Sequence, residues 1–173
     1  VLITDLSLTE VVKSWDGTNT FTDPTFMSGA SQAFGVFHAR YCNISKERAL
    51  FAHVKDAGAT TRHMIVGSER GNFERISVND RPSSSLSEAD PFFLLAPDLR
   101  PINGLVEAFG TTIFSTEQGQ LFNLEGESAK DFAISDFYPG SAASGAESLS
   151  YIGNDIICGR KGRIESIRDT DRY

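Results

Sequence analysis

Residues 109–124 read FGTTIFSTEQGQLFNL, and residues 152–167 read IGNDIICGRKGRIESI. Setting Gly119 over Gly162 aligns Phe109 with Ile152, Gly110 with Gly153, Ile113 with Ile156, Phe114 with Ile157, Leu121 with Ile164 and Leu124 with Ile167. Setting Gly71 over Gly119 brings in a third stretch, HMIVGSERGNFERI (63–76), with Ile65 on Ile113, Val66 on Phe114, Phe73 on Leu121 and Ile76 on Leu124. Each copy runs from a β-rich segment through a polar step to a glycine and a second β-rich segment, which is the composition of a tight hairpin. The glycine supplies a positive φ that a side chain resists at a cost of about 1 kcal/mol or more. Gly71, Gly119 and Gly162 are therefore expected to be structural turn residues.

The three glycines are 48 and 43 positions apart. That is the period of a four-stranded propeller blade rather than of a helical repeat. The other apolar runs fit the same scheme: 34–42 and 48–54 before the first hairpin, 90–96 and 102–109 before the second, 130–138 and 147–153 before the third. The expected fold is all-β, a propeller-like array of about three four-stranded blades spanning about 34–80, 90–126 and 130–168. Residues 1–33 form an opening segment or part of a further blade, and only LSLTEVVKSW (6–15) has the composition of a short helix, although its alternation also suits a strand. Gly/Ser-rich stretches at 16–33, 79–91 and 139–147 read as loops. Propellers close with about four to eight blades, so the favoured expectation is that the rest of the domain lies outside this chain.

Composition narrows the function. Of 173 residues, 40% are hydrophobic and 13 are Phe, enough to order a core. No apolar run approaches the ~18–20 residues of a membrane-spanning helix, and no basic-then-apolar leader opens the chain, so a soluble protein without a membrane anchor is expected. A net charge of −7 argues against gripping nucleic acid by its phosphates. Cys42 and Cys158 lie far apart in apolar runs and are expected as buried free thiols rather than a disulfide.

Catalytic signatures are weak. GSAASG (140–145) lacks the spacing of a nucleophile elbow, and Ala146 and Glu147 stand where a phosphate loop needs Lys and Ser/Thr. His38 and Cys42 share one side of a strand but at about 13 Å, too far for one metal. His53 and His63 could approach each other across a strand pair but lack a third ligand. Glu88 and Asp90 could be drafted for acid/base work, yet solvated loop charge is the ordinary explanation. Asn43-Ile44-Ser45 is a glycosylation sequon of the kind that arises by chance. No catalytic, cofactor-binding or metal-ligating residue is assigned.

STEQGQLF (115–122) resembles the Asp-box of sialidase-type propellers, with Glu117 in place of Asp and Phe122 in place of Trp. That box is a structural turn remote from chemistry and supports only the blade. Over a wider span, VFHARYCNISKERALFAHV (36–54), MIVGSERGNFERI (64–76), and 102–126 with 138–167 resemble the tail nozzle proteins of short-tailed bacteriophages, also called tail tubular protein B or tail stabilisation protein. Asn72 stands where that family usually has an acid, and Ile76 where it usually has Phe. The resemblance implies a structural virion protein of the tail, without enzymatic activity or cofactor and assembled in the host cytoplasm. It would form a six-fold homo-oligomeric ring between portal or adaptor and tail fibre or tip proteins, a head-tail connector through which the genome leaves without specific DNA binding. A non-viral propeller acting as a protein-interaction module and a propeller glycan hydrolase are the alternatives.

Overall fold

β-Branched and aromatic residues recur along the chain in runs of strand length, and the computed structural model of the protein accordingly contains strands, turns and loops, with no helix among the described residues. It describes residues 37–56, 59–138, 149–160 and 163–168, with four two-residue strands nearer the start. Those four are β1 (Leu2–Ile3), β2 (Lys13–Ser14), β3 (Met27–Ser28) and β4 (Gln32–Ala33). The two residues of β2 are strand, while most of the 6–15 segment, the 16–33 loop apart from β3 and β4, and the 139–147 loop lie outside the described residues.

The first sheet is an antiparallel meander of β5 (Phe37–Ser45), β6 (Arg48–Asp56), β7 (Ala59–Glu69) and β8 (Asn72–Ile76). β7 is eleven residues long, whereas β8 pairs with it only at Ser68 and Glu69. The remaining edge of β7, Met64–Gly67, pairs with β9 (Phe92–Leu95). β3 joins the outer edge of β8 in parallel, Met27 opposite Arg75 and Ser28 opposite Ile76. The second sheet is the meander β10 (Ile102–Ala108), β11 (Thr111–Thr116), β12 (Leu121–Glu125) and β13 (Ala133–Tyr138). The third comprises β14 (Leu149–Ile152), β15 (Asp155–Arg160) and β16 (Arg163–Arg168).

This corrects the expected allocation of strands. The 90–96 run, expected to begin the second unit, belongs to the first sheet as β9, and the 130–138 run, expected to begin the third, closes the second sheet as β13. Strand composition alone does not select a partner edge; the unpaired length of β7 and the outer edge of β12 do.

The sheets meet face to face. Tyr41, Ala52 and Ile65 of the first sheet pack with Ile102, Phe114 and Phe122 of the second. On its other face the second sheet offers Ala108, Ile113, Leu121 and Phe137 to Ile156, Cys158 and Ile167 of the third. β11 and β12 are consequently buried on both faces, which is why TTIFST and LFNLE carry apolar residues at successive rather than alternate positions. A further core, Phe37, Ala49, Phe51 and Val66 with Ile76 and Phe93, lies on the far face of the first sheet.

The 43-residue repeat holds for the strands but not throughout for their register. Ala108 opposite Thr111 and Ile152 opposite Asp155 are equivalent pairs 44 positions apart, whereas Leu124 and Ile167, 43 apart, both face the preceding sheet. The extra position is accounted for by the hairpins. β11–β12 turns through a three-residue loop, Glu117–Gly119, with Gly119 N–H donating to Thr116 O at 2.7 Å and Thr116 N–H to Gln120 O at 3.1 Å. β15–β16 is tied by the pair Arg160 and Arg163, one residue shorter. A one-residue slip moves a side chain to the opposite face. Hence Ile113 points toward the third sheet while its sequence match, Ile156, points back to the second.

Candidate functional site

Gly71 and Gly119 both adopt the left-handed φ expected of them, +75° and +84°. They occupy different hairpins, however: Gly71 lies between the third and fourth strands of its meander in a two-residue turn, Gly119 between the second and third strands in a three-residue turn. Gly162 lies outside the described residues. Other turns fall at residues that the sequence did not mark as turns: Lys46 (φ 51°) with Glu47 (60°), and Phe109 (53°) with Gly110 (73°), both two-residue turns of the kind that matches strand twist.

The most elaborate polar constellation is built around Arg48, the first residue of β6 and fully buried. Its Nη1 donates to the carbonyls of Ser68 (2.6 Å), Asp90 (2.8 Å) and Ala89 (3.2 Å), and Nη2 donates to that of Glu88. The guanidinium carbon lies 5.6 and 5.7 Å from the ring centroids of Phe92 and Phe132, themselves stacked at 4.5 Å. Burial, and then the Arg70 charge, pull the guanidinium below its usual range, opposed by the Asp90 and Glu69 carboxylates. Arginine has ample margin to remain charged. The cation thus fastens the 79–91 loop to the first sheet through three backbone oxygens of the loop, those of Glu88, Ala89 and Asp90, and one of β7, that of Ser68. It was missed in the sequence, where its one signal is the arginine that ends the charged triplet Lys46-Glu47-Arg48 and opens an apolar strand, RALFAHV.

Two further links join the first and second sheets. His53, buried in a bulge of β6 at φ 55°, places Nδ1 3.0 Å from the carbonyl oxygen of Ile102 at the start of β10. Burial lowers its pKa, with Arg40 and Arg62 adding to the effect and the Ile102 bond and Glu117 opposing it. In the turn before β6, Lys46 Nζ donates to Gly126 O and pairs with Glu127 at 2.9 Å. Between the second and third sheets the approach is steric: a Cβ on Gly104 would lie 2.8 Å from Ser115 Oγ and 2.9 Å from Leu149 Cβ.

The remaining sequence candidates are dispersed. The carboxylates of Glu88 and Asp90 do not meet Arg48; their backbone oxygens do. Asp90 is held low by hydrogen bonds from Ser87, backbone then hydroxyl, which suits a carboxylate rather than a proton donor. His53 is committed to Ile102, and His63 contributes its backbone oxygen to Ala96 N–H at 2.8 Å. His38 and Cys42 both sit on β5, and no group of three or more His, Cys, Asp or Glu among the described residues is arranged to hold a metal. Cys158 is buried and Cys42 partly buried, both as free thiols. The Asn43 side-chain nitrogen is enclosed, so a glycan there is incompatible with this packing. No helix among the described residues is long and apolar enough to cross a membrane.

Comparison of the chain with protein-family models, with curated proteins and with solved structures gave no significant match.

Proposed function

We propose that the chain is a run of β-propeller blades serving as a structural virion protein, a component of the nozzle or tube ring of a short-tailed bacteriophage tail. The observation that carries this reading is the order in which the sheets meet. β10, the first strand of the second meander, packs against both β5, the first strand of the meander before it, and β14, the first described strand of the sheet after it. First strands side by side, with the sheets behind them sharing faces, is the arrangement of blades fanned about an axis. The best-made polar constellation, around Arg48, fastens backbone to backbone, which supports a scaffold over an enzyme.

In this role the protein forms a six-fold ring with copies of itself, between portal or adaptor proteins and tail fibre or tip proteins, and genome ejection proceeds through its channel. The net charge of −7 suits a wall past which DNA slides without being held. The chain resides in the virion tail after assembly in the host cytoplasm, and it carries out no catalytic step and uses no cofactor. Gold-labelled antibody against residues 79–91 tests the assignment on intact particles. Label concentrated at the tail below the portal vertex is expected; protein found only outside purified particles would overturn it.

A further inference from the structure

The third sheet leaves one face open. Ile152 is 65% exposed and Ile164 81% exposed, with Ile157 half-buried between them. The register places these residues on a diagonal: Ile152 opposite Asp155, Ile157 two positions along β15, and Ile164 opposite Gly159 two positions further on. The second sheet carries the same diagonal at the equivalent positions, Ala108 opposite Thr111, then Ile113, then Leu121 opposite Ser115. There all three residues lie in the core shared with the third sheet, Leu121 at 1% exposure. An apolar diagonal that one sheet buries beneath its successor is repeated, one sheet on, where no described residue covers it.

We propose that this face of β14–β16 seats a fourth antiparallel sheet, which follows the third in the same polypeptide and packs on it as the third packs on the second. Chain order favours that source over a second copy. Each sheet is covered on this side by the next sheet in sequence, the first by the second and the second by the third. A head-to-tail contact between copies would need a second open face, but the far face of the first sheet is already closed over Phe37, Phe51 and Val66. The apolar stripe calls for an aliphatic or aromatic face opposite it, with small polar neighbours at Ser150 and Ser166. The inference rests on the blade reading above and extends it to a specific surface.

The test uses the complete polypeptide encoded by the source reading frame, carrying Ile152→Cys or Ile164→Cys. Maleimide labelling at each site is read by peptide mass spectrometry, native against urea-unfolded. Labelling slowed by about 100-fold in the native state is expected, as for a thiol inside a sheet interface. A native rate within a few-fold of the unfolded one overturns the proposal, as does a reading frame without a further set of strands. Protection that vanishes on dilution, together with a dimer in sedimentation, assigns the face to a second copy and also overturns it. Amide exchange over residues 111–125 separates the two levels of inference: fast exchange there defeats the stacked-blade reading itself, whereas slow exchange with a reactive thiol at position 164 defeats only the fourth sheet.

Discussion

Replacing Arg48 by Met tests whether the buried cation holds the first sheet and the 79–91 loop together. Met keeps the unbranched apolar stem but stops short of the guanidinium and withdraws every donor from the oxygens of Ser68, Glu88, Ala89 and Asp90. Swapping a buried ion pair for apolar residues is often neutral, because both partners leave together. Here the acceptors are backbone carbonyls and cannot be substituted away, so the variant strands them or forces the loop to open to water. A buried acceptor left unpaired costs about 1–3 kcal/mol. Partial rehydration of the loop and relief from desolvating the guanidinium offset part of the sum. A net loss of about 3 kcal/mol is expected, which at about 2 kcal/mol/M in urea is a midpoint shift of roughly 1.5 M. Arg48→Lys keeps a charge but has three donors on one atom and loses the guanidinium's contact with the Phe92 and Phe132 rings, so an intermediate loss of about 1–2 kcal/mol follows. Urea unfolding at neutral pH gives the totals. Amide exchange at Ser83 and Asp90, whose N–H groups donate to Ala129 O and Ser87 O, reports loop release directly. Unchanged midpoints for both variants, or a Met variant as stable as the parent with the loop still protected, would refute the anchoring argument.

His53 binds a proton more readily unfolded than folded, since burial lowers its native pKa. Its contribution is complete above about pH 6.5 and is lost as pH falls from there through the lowered native value. Urea midpoints at pH 7 and pH 5 should therefore differ by less in His53→Asn, a residue that tolerates the left-handed backbone at this position, than in the parent. Gly119→Val forces a β-branched side chain to φ 84° and should cost about 2 kcal/mol, with Gly119→Asn roughly half as damaging, measured as thermal midpoints. Gly104→Ala drives a methyl into Ser115 and Leu149 and should cost about 1–3 kcal/mol by overpacking. Because Cys158 lies in the same inter-sheet core, its reaction with a thiol reagent should accelerate in that variant, and an unaltered rate would show that the third sheet accommodates the methyl.

Much of the secondary structure is legible in the chain. The runs around residues 113 and 121 are strands joined through Gly119, as their composition and glycine imply, and the all-β class follows from the same reading of the other runs. The free thiols at Cys42 and Cys158 were likewise readable from spacing and apolar surroundings. Arg48 was not, because a guanidinium held by backbone oxygens leaves no complementary carboxylate in the sequence to mark it. The carboxylates that were visible, Glu88 and Asp90, stand at that site only through their main chain.

The sequence by itself determined that the protein is built of antiparallel ribbons, several of them turned at glycine, because alternation, β-branching and positive-φ residues act within a few positions of each other. Which edge each ribbon joins, and which of its faces is covered, was decided only in three dimensions. β9 went to the unpaired stretch of β7, β13 to β12, and one residue of loop length set whether Ile156 or Ile157 looked inward. Pairing is a competition among backbone edges that all carry the same hydrogen-bonding groups, and the winner is chosen by strand length, loop length and the core on either side rather than by local composition.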